Sequence, residues 1–131
     1  MKAFLSYSFE NRHEFEKLNQ SLKKFLKKQF NIESYAFVFD FKDKTNNKKM
    51  MQKALSLIDK SDIIIAELSY KSIGIGIEIG YAKAKNKKII YIKKINSPLS
   101  TTAEGIADYF IKYNQEEDLI KKLRIIFKSI F

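Results

Sequence analysis

The chain has no cysteine, which excludes disulfides and thiol chemistry, and a single histidine, His13, so a zinc site has almost nothing to be built from. No apolar run approaches the roughly 18 residues that a membrane-spanning helix needs. The N-terminal stretch MKAFLSYSFENRHEF turns polar too early for a signal peptide. The expectation is a cytoplasmic chain with no metal, no cofactor and no membrane partner. Arginine is scarce too: Arg12 and Arg124 are the two in a chain whose 25 basic and 15 acidic residues leave a net charge of +10. Such a balance suits an anionic partner. Readers of nucleic acid lean on arginine, however. A lysine-rich composition is the better account of the charge, and it leaves a small phosphorylated substrate compatible and nucleic acid disfavoured.

What is present describes a folded globule. Hydrophobic residues make up 45% and aromatic residues 14% of 131 positions, enough for one domain over 1–131 with a real core. KAFLSYS (2–8) suits a buried first strand. The period then changes, with Phe15, Leu18, Leu22, Leu26 and Phe30 at helical spacing and Asn11 and Glu14 placed as a capping box. SYAFVF (34–39) reads as a second strand, and Met51, Leu55 and Ile58 mark a second helix. SDIIIAEL (61–68) is the clearest strand, its unbroken apolar run suiting a central position covered on both faces. A helix through about Lys85, a strand over 87–94, a short strand over 108–113 and a terminal helix striped by Leu119, Leu123, Ile126, Phe127 and Ile130 complete the chain. Alternating strands and helices imply an α/β three-layer sandwich with a five-stranded parallel sheet, flavodoxin-like or Rossmann-like. Ligands of such folds sit at the carboxyl ends of the strands. That edge gathers residues 6–12, 40–46, 67–78 and 94–105, including Tyr7 and Ser8 in the first loop and Glu67 at the end of the central strand.

Glycine is the other rarity. Three of four, at 74, 76 and 80, fall in SIGIGIEIGYAKAKNKK (72–88) around Glu78. Gly74 and Gly76 are expected to allow positive φ and close approach of a ligand, Gly80 to allow tight packing of the helix on the sheet, and Glu78 to sit in the first helical turn facing the crevice. The spacing is neither the dinucleotide fingerprint nor a phosphate-binding P-loop. A carboxylate in a partly dry crevice can act as nucleophile or general base. Asp62, at the start of the central strand, reads as a structural cap, and His13 as a surface residue.

SDIIIAELSYKSIGIGIEIGYAKAKNKKIIYI, followed by LSTTAEGIADYFIKY, resembles the nucleoside 2-deoxyribosyltransferase family, including its 2′-deoxynucleoside 5′-monophosphate N-hydrolase branch. The resemblance covers residues 61–113. It implies an enzyme that cleaves the N-glycosidic bond of a nucleoside or nucleotide by hydrolysis or base transfer, with Glu78 as nucleophile forming a glycosyl ester. It implies Ser72 as a contact to a 5′-phosphate, and Ser100 as a contact to the phosphate in a neighbouring subunit's site, hence a homodimer or higher homo-oligomer. The sequence also departs from the family. Phe4 stands where a strand-one tyrosine orients the glutamate, and Ala54 stands where an aspartate holds the sugar or base, leaving Asp40, Asp43 and Asp59 as substitutes. Two other readings compete. AFLSYSFENRHEF resembles the opening strand of the Toll/interleukin-receptor (TIR) fold, a signalling or NAD-cleaving module. Phe4 and Ala54 would also suit a nucleotide-binding protein without catalysis.

Overall fold

The computed structural model describes residues 1–41 and 46–131. Five strands, β1 (Lys2–Ser6), β2 (Glu33–Ala36), β3 (Ile63–Glu67), β4 (Lys88–Lys94) and β5 (Tyr109–Tyr113), form one all-parallel sheet in the order β2-β1-β3-β4-β5. This is the flavodoxin order, and β3, every residue of it buried, is central as its apolar run predicts. Six α-helices connect and close the described chain: α1 (Glu16–Phe30), α2 (Phe37–Asp40), α3 (Asn47–Asp59), α4 (Ile73–Ala84), α5 (Thr101–Ile106) and α6 (Glu116–Ile130).

The alternation of strand side chains divides the core in two. Leu5, Ile63, Ile65, Ile90 and Ile92 meet Leu18, Leu22 and Leu26 of α1 and Leu119, Leu123 and Phe127 of α6. On the other face Phe4, Ile64, Ala66, Ile89 and Tyr91 meet Ile58 of α3, Ile75, Ile79 and Ala82 of α4 and Ala103 of α5. Asp62 has the capping role expected of it: its Oδ2 accepts the Lys2 N–H at 2.9 Å, fixing the start of β1.

Two local expectations are corrected. The capping box at Asn11 does not form. A 3₁₀ turn (Arg12–Phe15) precedes α1, Asn11 Nδ2 donates to Ser8 Oγ at 3.0 Å, and the Glu14 carboxylate is taken by Tyr70 Oη at 2.7 Å and Lys94 Nζ at 2.5 Å. The second strand stops at Ala36, short of the 34–39 that its apolar run predicts. Asp40 Oδ2 accepts the Ala36 N–H at 2.9 Å and the Phe41 N–H bonds back to Phe37 O, closing the helical turn α2. The turn separates rings that a strand would put on one face. Phe39 packs edge-on against Tyr7, while Phe37 stacks on Phe41 with centroids 4.6 Å apart.

Candidate active site

α4 begins at Ile73 behind Ser72, an N-cap whose Oγ accepts the Ile75 N–H at 3.3 Å. Glu78 is therefore the sixth helical residue, in the second turn and not the first as expected. The helix dipole acts mainly within the first turn, so Glu78 is poorly placed to serve as its partner. Its carboxylate points along the sheet toward β1, where Ser6 Oγ donates to Oε1 at 2.5 Å. Ser6 is 2% exposed and faces α4 because it shares the parity of Phe4. Burial pushes the Glu78 carboxyl up to about 7, and the Ser6 hydrogen bond acts in the opposite direction.

A cavity of about 420 Å³ opens beside this carboxylate. One side is Ser72, Gly74, Ile75 and Glu78; the other is Phe37, Val38 and Phe41 of the second crossover with Asn47, Met50 and Met51 of α3; Tyr7 and Phe9 close the end of β1. The aromatic and methionine wall escaped the sequence reading. Phe37 lies inside the strand expected over 34–39 and Phe41 in the polar loop expected after it, so the spacing that brings the two rings together is visible only once the α2 turn forms. A second cavity of about 460 Å³ lies beyond the start of α4, lined among others by Lys71, Ser72, Gly76, Ser100 and Thr102. Ser72 borders both.

Of the residues expected at the ligand, Glu78, Ser72, Gly74 and Tyr7 come together around the first cavity, while Gly76 and Ser100 line the second. Tyr7 presents only its body, for its hydroxyl donates to Asn19 Oδ1 at 3.1 Å on the far side. Ser8 is buried and accepts from Asn11. Ser100 is the N-cap of α5, accepting the Ala103 N–H at 3.3 Å. Glu67 is displaced from the expected site. One residue beyond Ala66 in a strand, it points to the opposite face, 1% exposed, where Ser69 N–H, Ser69 Oγ and Tyr113 Oη all donate to its carboxylate.

The glycines are also corrected. Among the described residues no glycine has positive φ; Asn31 (54°) and Asn86 (60°) hold the left-handed positions. Gly74, Gly76 and Gly80 are ordinary helical residues, and a Cβ at 76 or 80 would meet nothing within 4 Å. Gly80 lies on the outside of α4, not against the sheet. Phe4 and Ala54 are both 0% exposed, so neither position offers a polar group to a ligand. Asp40 is engaged with Ala36 and Lys23, and Asp59 with Tyr81 and Lys85, and neither lines the cavity; Asp43 lies outside the described residues.

Fold and site together define an α/β protein with a flavodoxin-ordered sheet and two cavities at its carboxyl edge, one of them bordered by a half-buried carboxylate. The chain belongs to the nucleoside 2-deoxyribosyltransferase family, whose sequence model matches residues 4–118 and so takes in the opening strand that resembles the TIR fold. It is 27% identical over 92 residues to a proposed 2′-deoxynucleoside 5′-phosphate N-hydrolase 1 of Thermofilum pendens, covering 66% of this chain and 64% of that protein. It is 38% identical over 48 residues to the 5-hydroxymethyl-dUMP N-hydrolase of Danio rerio, covering 37% of this chain and 34% of that one. The matches thus span less than two thirds of either relative. The structure of the Clostridium botulinum CMP N-glycosidase superposes with a TM-score of 0.73 at 25% identity, covering 95% of this chain and 99% of the other. A 2-deoxyribosyltransferase of Bacillus psychrosaccharolyticus, 12% identical with a TM-score of 0.69 over 92% of this chain and 90% of its own, shares the fold.

Proposed function

We propose that this chain cleaves the N-glycosidic bond of a nucleoside 5′-monophosphate, with Glu78 as nucleophile. The observation that carries the reading is the Glu78 carboxylate, held by one hydrogen bond at the wall of a nucleotide-sized cavity. One carboxylate oxygen attacks the anomeric carbon. The C–N bond breaks with its electron pair going to the base, which leaves with a proton from water, and a glycosyl ester remains on Glu78. Water or a second base then attacks the same carbon, and the carboxylate is released. The stacked Phe37–Phe41 pair offers the base an apolar face, worth roughly 1–3 kcal/mol per stacked base. Incubation with deoxynucleoside and ribonucleoside monophosphates, the matching nucleosides and NAD, with free base read by chromatography, tests the reading. Base is expected from a monophosphate. Base from none of them would reject N-glycosidic cleavage, and base from NAD alone would favour the TIR-like reading.

Ser72 at the junction of the two cavities, with Lys71 beside it, is the proposed seat of the 5′-phosphate. Monophosphates should raise the melting temperature more than their nucleosides do. A ligand at 100 times its Kd adds about 2.7 kcal/mol, an effect easily read in a thermal melt. Equal shifts for the two series would remove the phosphate subsite.

The reading includes a homodimer. Ile73, 86% exposed, and Ile77, 50% exposed, lie on one outer face of α4 with Gly76, Gly80 and Ala84, an apolar stripe with little side-chain bulk that suits close contact with a second copy. Ser100 lies across the cavity from this stripe's first turn. Sedimentation should show a dimer for the wild type and a shift toward monomer for Ile77→Glu. A monomeric wild type that still turns over would reject assembly as part of the function.

A further inference from the structure

Resting on the reading of Glu78 as the reacting carboxylate, we propose that Ser6 is its positioning residue: the hydroxyl at the end of β1 fixes Oε1 and so presents Oε2 to the cavity. Ser6 is well built for this. Its backbone is locked in the sheet, opposite Ala66 of β3, and its side chain is 2% exposed. The 2.5 Å bond spans 72 positions of sequence and joins the first strand to the fourth helix. Among the described residues it is the one hydrogen bond to the Glu78 carboxylate. Among the described residues that line the cavity with it, Tyr7, Phe37, Phe41, Asn47, Met50 and Met51 included, none carries a charge at neutral pH. Without Ser6 the carboxylate would be both unanchored and more costly to ionise, because burial raises its pKa and the Ser6 bond is the opposing influence.

A purely structural Ser6 would merely satisfy its own buried hydroxyl, and the two cases separate by measurement. Ser6→Ala removes a single oxygen from a strand position opposite Ala66 and should fold. It should lower kcat roughly tenfold at pH 7 with KM nearly unchanged, and move the acid limb of the pH profile upward by about one unit. Ser6→Thr restores a hydroxyl and should recover most of both. Carbon-13 carboxyl NMR, with the Glu78 signal assigned by its loss in Glu78→Gln, reads the same shift without turnover. A Glu78 titration and a pH profile unmoved by Ser6→Ala would overturn the proposal. If Glu78→Gln keeps full turnover while Ser6→Ala still moves the Glu78 titration, the nucleophile reading fails and the hold of Ser6 on the carboxylate stands.

Discussion

Glu78→Ala should lower turnover by about a thousandfold or more on the best monophosphate found, because on the proposed mechanism it deletes outright the group that forms the covalent bond. The fold should survive. Glu78 makes no ion pair among the described residues, and its single hydrogen-bond partner, Ser6, can turn its hydroxyl to another acceptor. Binding should survive in large part as well, since the apolar wall at Phe37, Phe41, Met50 and Met51 and the Ser72 rim are untouched. The loss should therefore appear in kcat and not in KM. A 2-fluoro-2-deoxy substrate analogue, which slows breakdown of the ester, should leave a glycosyl adduct on the wild-type peptide carrying Glu78, detectable by mass spectrometry. Near wild-type turnover by Glu78→Ala would show that the nucleophile lies elsewhere.

The second large effect is on stability. Burial raises the Glu78 carboxyl from the ordinary 4.5 to about 7. Between those values the folded state holds a proton that the unfolded chain has lost, so stability is fully present below pH 4.5 and falls as pH rises through 7. At 1.36 kcal/mol per pH unit, the ionised carboxylate costs at most about 3 kcal/mol above pH 7. Glu78→Gln stays neutral and keeps an oxygen for Ser6 to donate to. It should therefore melt roughly 10 °C above wild type at pH 8 and close to wild type at pH 4. Melting curves at the two pH values check this, and an equal difference at both would mean that the carboxyl titrates normally. A difference confined to pH 8 would mean that the candidate site holds its charge at the expense of the fold.

Much of the architecture was legible because it rests on short-range patterns. The Ile63–Ala66 run announced a central strand, and the helical spacing of Leu18, Leu22 and Leu26 and of Leu119, Leu123 and Phe127 marked the helices that cover one face. Phe37–Asp40 was not legible, since a few apolar residues fit either period and the Asp40 carboxylate that closes the turn acts from outside the pattern. The glycines misled for a different reason: rarity suggested special backbone angles, whereas helical Gly76 and Gly80 keep an outer face of α4 bare. Ser6 and Glu67 depend on strand parity in the finished sheet. A single position separates Ala66, beneath α4, from Glu67, on the opposite face, and Ser6 meets Glu78 only once β1 and α4 are docked. No local rule supplies that pairing.

The Glu67 network bears on how the cavity can diversify. Glu67 gathers Ser69 and Tyr113, and Ser69 Oγ in turn accepts the Lys94 N–H at 2.9 Å, so the loop leading to Ser72 is fastened to β4 and β5 through buried polar bonds. A substitution there disturbs three strands at once. The facing wall, Phe37, Phe41, Met50 and Met51, consists of apolar side chains on a short turn beside the edge strand and the start of α3, where exchange of one apolar shape for another is cheap. On the proposed reading, the apolar wall is the cheaper place to refit the cavity to a different base, and the wall that carries Ser72 and Glu78 the costlier one.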